Sequence, residues 1–155
     1  MQLKASLITA ALLLTTGCNQ QAPPAETPYQ AVTDIHHTME LILDPATEVI
    51  WDSAGSIITA EGEQNLAPTT DEGWLEVEKA AAVVAETGNL LMMPGRAAGD
   101  DWVGYSADLV EAGKLALQAA RDQDSDALFD AGGRLYQVCL ACHNQYWVEV
   151  DNSDE

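Results

Sequence analysis

Residues 124–146 read DSDALFDAGGRLYQVCLACHNQY, and the spacing within them decides the fold class. Leu128, Ala131, Leu135, Val138 and Cys142 recur every three or four residues. That period puts them on one stripe of an α-helix facing a core. Asp124 and Ser125 supply capping chemistry where the stripe begins. Three earlier segments repeat the pattern. Trp74, Val77, Ala81 and Val84 follow Thr69, Thr70, Asp71 and Glu72, a run of cap formers and early acids, and the segment ends near Gly88 and Asn89. Trp102, Tyr105, Leu109, Ala112, Ala116 and Ala119 follow Gly99, Asp100 and Asp101. The first segment carries Val32, Ile35, Met39, Ile42, Ala46, Val49 and Ser53, interrupted by Asp44 and Pro45. Pro45 is expected to kink or restart that helix, with Asp44 able to cap the new start. No stretch alternates as a strand would, and Gly62, Pro68, Pro94, Gly95 and Gly99 mark the connections. Four amphipathic helices with two moderate loops and one short turn predict an all-α chain, an antiparallel up-down four-helix bundle.

Composition narrows the class. The 155 residues suit one domain and carry 25 Asp and Glu against 6 Lys and Arg, a formal charge of −19. No basic patch exists, which excludes nucleic acid as a partner and favours a protein with a basic docking face. Lys4 precedes an apolar run, residues 7–14 (LITAALLL), too short to cross a bilayer and suited to an export signal. Residues 14–18 (LTTGC) resemble a bacterial lipobox, in which the Cys becomes the lipidated first residue; Thr15 stands where that motif usually has Leu. An ordinary cleaved signal is the alternative. The expected organisation is a signal at 1–17, a tether at 18–29 beginning with lipidated Cys18, a helical domain at 30–148 and an acidic tail at 149–155. Such a chain resides in the periplasm, held to the inner or the outer membrane by its lipid.

Cys139-Leu140-Ala141-Cys142-His143 is a CxxCH run. Two thiols at this spacing match the two vinyl groups of haem, and the following His reaches the iron from the same turn of chain. With 3 Cys and 3 His in 155 residues, a chance match arises roughly once in a thousand such chains. A redox CxxC normally follows a strand in an α/β setting, which the pattern lacks, and a structural zinc site needs a second Cys/His pair. Cys18 goes to lipid and the other two cysteines to haem, so no disulfide is expected.

With these residues in view, positions 30–148 resemble the cytochrome c′ family. The resemblance rests on residues 132–146, with CxxCH near the C-terminus and aromatic Tyr146 three residues after His143. Trp147 departs from the basic residue common at the next position, so the tuning assigned to that residue is not carried over. The resemblance implies a bundle of the cytochrome c′ type holding one covalent haem c through Cys139 and Cys142, with His143 as proximal iron ligand. It implies no reaction on a substrate. Members with a Met from the first helix transfer electrons; those with an open distal site bind diatomic gases such as NO and CO. Met39 is the candidate distal ligand. His143 is expected about 7 Å and Met39 about 13 Å from the same end of the bundle, at about 1.5 Å per residue. Core filler is the other use of a bundle Met. His36, on the flank of the stripe, is the rival ligand, and His37 faces away. Met92 and Met93 read as packing residues, and Arg96 as a haem-propionate partner or a plain surface residue. The expected partners are a basic redox protein, the membrane, and as a further candidate a second copy of the chain; docking of the acidic face onto a membrane-bound redox complex is a further role.

Overall fold

The computed structural model describes residues 29–147, so Cys18, the expected signal at 1–17 and the acidic tail at 149–155 lie outside the described residues. The chain is mostly helical. The first helical run, α1, comprises an α-turn Ile35–Thr38, a π-turn Met39–Leu43 and an α-segment Asp44–Asp52. An antiparallel hairpin follows, β1 Ser56–Thr59 with β2 Gly62–Asn65. Then come α2 Asp71–Leu91, α3 Trp102–Asp122 and α4 Ser125–Tyr146.

Local chemistry sets most of these ends. The Thr70 hydroxyl accepts the amide of Gly73, and Asp71 and Glu72 fill the first turn of α2, where the helix dipole favours acids. Asp124 caps α4 by accepting the amides of Asp126 and Ala127. Between α3 and α4 the chain turns through Gln123 in the left-handed region, φ 51°. α2 runs to Leu91, past the expected stop near Gly88 and Asn89, and Gly88 serves helix packing instead. A methyl there would lie 2.7 Å from the Ser106 carbonyl, and one on Gly113 would lie 2.6 Å from the Ala85 nitrogen. Small residues let α2 and α3 approach at backbone distance. The pairs Gly88–Ser106, Ala85–Gly113 and Glu78–Arg121 show these helices running in opposite senses. Tyr105–Gln145 and Asp108–Arg134 show the same for α3 and α4.

The π-turn corrects two expectations. Pro45 has no amide hydrogen, and in a regular helix its ring would strike the carbonyl four residues back. Here the Asp44 amide bonds the Met39 carbonyl, five residues back, so one extra residue is taken up just before the proline. Asp44 does not cap through its side chain; its carbonyl accepts the Thr47 hydroxyl instead. The extra residue also rotates the stripe. Leu43 and Ile50 are buried, Ile50 fully, while the expected Val49 is exposed and Ile42 only half-buried. Val32, expected inward, lies exposed before the helix starts. On α2, α3 and α4 the expected stripes face the core: Trp74, Val77, Ala81, Val84, Trp102, Leu109, Ala112, Ala116, Leu128, Ala131, Leu135 and Val138 are buried.

The hairpin was not expected. The register pairs Ile57 with Gln64 and Ile58 with Glu63, and all its residues are exposed. With neither face packed, no alternation of apolar and polar residues was required.

Candidate haem-binding cleft

A half-open cleft of about 280 Å³ lies between α1, α3 and α4, and its walls are almost wholly apolar. α4 contributes Tyr136, Val138, Cys139, Leu140, Cys142 and His143. α1 contributes Met39, Leu43, Asp44, Thr47 and Trp51, and α3 contributes Trp102, Tyr105, Ser106 and Leu109. Leu91 closes the end of α2 against it. Residues far apart in sequence thus converge: the CxxCH run and Met39 line one space.

The donors are in suitable states. Cys139 and Cys142 are free thiols, both half-buried. Burial, and then the neighbouring Cys142, push the Cys139 thiol up from 9.0 to about 11. Burial also raises Cys142 and lowers His143, so at neutral pH the imidazole is uncharged with a lone pair free for a metal. The His143 ring packs edge-on to Trp147, centroids 4.9 Å apart. Met39 sits in the π-turn, partly buried against the core.

The surrounding side chains are pinned by bonds across the fold. The Trp51 indole donates to the Gly132 carbonyl at 3.0 Å. The Trp102 indole donates to the Leu91 carbonyl at 2.8 Å, and Tyr146 packs on Trp102 with ring centroids 5.3 Å apart. Arg96 is not a surface residue. It is buried, donating to the Thr38 hydroxyl at 2.9 Å and to the Thr33 carbonyl at 2.8 Å, and it thereby fixes the residue next to Met39. Its Nε has no partner among the described residues.

His36 and His37 are exposed and do not line the cleft. Asp34 raises the pKa of His37 through a hydrogen bond to its ring. Met92 and Met93 pack with Tyr29, Leu90 and Pro94 on a separate groove, away from Met39. Trp102, Tyr105 and Leu109, on the expected core stripe of α3, line the cleft, and Trp51, Thr47 and Tyr136, off the expected stripes, line it too.

Haem fits the residues present. Two unpaired thiols, a neutral imidazole and a thioether share one apolar cleft, and none of its groups needs a bonded partner that a planar apolar ligand would remove. Comparison of the chain with protein-family models, with curated proteins and with solved structures found no match. Among the described residues, no helix is long and apolar enough to cross a membrane.

Proposed function

We propose that the protein is a monohaem c-type cytochrome that transfers electrons, built as an up-down four-helix bundle of the cytochrome c′ type. The observation that carries the reading is the cleft in which Cys139, Cys142, His143 and Met39 meet. Cys139 and Cys142 would hold the haem by thioether bonds, and His143 would supply the proximal nitrogen. Met39 would supply a thioether sulfur from the facing helix, and Met/His ligation raises the reduction potential. Bound haem provides a one-electron Fe(III)/Fe(II) couple. The chain's own work is to exclude water, with Leu43, Leu91, Trp102 and Leu109 as apolar walls, and to hold the ligands still. The π-turn carrying Met39 and the Arg96–Thr38 bond beside it serve the second task. No substrate is transformed. Lipidation at Cys18 would keep the cytochrome at a periplasmic membrane surface, and its acidic surface would select a basic redox partner.

The distal ligand is tested by spectroscopy of the exported, haem-loaded chain. The oxidised protein should be low spin, with a weak far-red sulfur-to-iron band, and should bind carbon monoxide slowly. Met39→Leu keeps the side-chain volume nearly constant, so the fold should survive at a cost under about 1.5 kcal/mol. That variant should turn high spin, bind carbon monoxide readily and have a lower potential. A wild type already high spin, with Met39→Leu spectrally silent, would mean a five-coordinate gas-binding protein instead. A spectrum moved by His36→Gln but not by Met39→Leu would mean bis-His ligation.

A further inference from the structure

His36, His37 and Glu40 form a second group of metal-ligating side chains, outside the cleft at the start of α1. One donor atom of each lies within 4.8 Å of a donor atom of the other two. Helical geometry explains the grouping. At about 100° per residue, Glu40 lies angularly between His36 and His37, so the three project over one arc of about 100°. The His36 Nδ1 is 4.0 Å from a Glu40 carboxylate oxygen. All three side chains are exposed and unconstrained by packing, so small rotations can close the set.

A second observation concerns His37. Its Nδ1 lies 2.9 Å from both carboxylate oxygens of Asp34. Asp34 is itself fixed, because it caps α1 by accepting the His37 amide at 2.7 Å. A carboxylate can only accept, so Nδ1 carries a proton towards Asp34, and the proton that metal binding displaces is the one on Nε2. A carboxylate holding one ring nitrogen while the other faces a metal is the usual outer-shell arrangement of a metal-bound His. Asp34 thus selects the tautomer of His37 in which Nε2 is the ligand atom.

We propose that His36, His37 and Glu40 bind one divalent late first-row transition ion at the surface. Two imidazoles and a carboxylate suit Zn²⁺ and Cu²⁺, with Cu²⁺ the tighter by the general order of affinities. Three protein ligands leave a coordination position to water. The helix N-terminus disfavours a cation here, but the Glu40 and Asp34 carboxylates and the −19 net charge act in the opposite direction. The site does not depend on the haem reading, since none of its residues lines the cleft.

Titration calorimetry with Zn²⁺ alone, on haem-loaded chain or on chain with its cysteines alkylated, tests the proposal. Either preparation removes the Cys139 and Cys142 thiols as competing ligands. One equivalent should bind, with a dissociation constant in the micromolar range, and Cu²⁺ should displace it. His36→Gln, His37→Gln and Glu40→Gln should each weaken binding about tenfold or more. Asp34→Asn, which leaves every ligand in place, should weaken it by a smaller factor. Unchanged helical circular dichroism in each variant shows that the fold survives. No saturable binding by the wild type would overturn the site, as would an isotherm retained in the His36→Gln/His37→Gln double variant. The latter would mean diffuse uptake by the acidic surface.

Discussion

Cys139 and Cys142 lie on one turn of α4, yet their surroundings differ. Burial, with the neighbouring Cys142, holds the Cys139 thiol protonated up to about pH 11, whereas Cys142 is raised by burial alone and is the less buried of the two. In haem-free protein a neutral alkylating reagent should therefore modify Cys142 first, and Cys139 should react at appreciable rate only as the pH climbs towards about 11. The same shift acts on stability. The folded chain keeps the Cys139 proton above the ordinary 9.0, so it binds more protons than the unfolded chain between pH 9.0 and about 11. Haem-free protein should lose stability as the pH rises through that window, and Cys139→Ser should remove this part of the loss. Equal alkylation rates at the two positions would contradict the burial difference. At this scale Cys139, Cys142 and His143 were legible in the sequence, because they stand in one contiguous CxxCH run. Arg96 was not. Its partners, Thr33 and Thr38, are about sixty residues away, and only the fold shows that the guanidinium is buried beside Met39 rather than solvated.

Among the elements, α1 shows how a local rule sets a distant one. Pro45 was legible as an interruption, but not the form its accommodation takes. A kink would have left Val49 on the inward stripe; the π-turn advances the stripe by one residue and buries Ile50. The two registers predict opposite mutational costs. Ile50→Ala should destabilise by about 2–5 kcal/mol, as for other fully buried aliphatic side chains. Val49→Ala should cost under about 1 kcal/mol, because its side chain is exposed. Urea unfolding of the two variants measures both, and a larger loss for Val49→Ala would restore the uninterrupted register. The stripes of α2, α3 and α4 contain no such interruption, and most of their expected residues are buried, Tyr105 and Cys142 being half-buried at the cleft. The hairpin was missed for the opposite reason. The β-branched run Ile57, Ile58 and Thr59 was a usable cue, but its exposed faces carry none of the patterning that packing would impose.

Across the whole molecule, two features separate cleanly by origin. The charge was evident from composition; the cleft, assembled from four helices, was not. With −19 formal charges, the surface should speed encounter with a small lysine-rich redox protein. Stopped-flow electron transfer to such a partner should slow by roughly tenfold or more between about 0.01 and 0.15 M ionic strength. A rate indifferent to salt would show that docking does not use the acidic field. The central claim is that Cys139 and Cys142 hold haem covalently, and one measurement addresses it directly. The full chain, residues 1–155, is produced in a host that exports and matures c-type cytochromes, then denatured, extracted with acid acetone and weighed by mass spectrometry. The account predicts the mass of the mature polypeptide, with its lipid on Cys18, plus one haem, with Cys139→Ser and Cys142→Ser each losing some or all of the bound haem. A polypeptide that weighs as bare chain, with its haem wholly in the extract or with no haem at all, would contradict it.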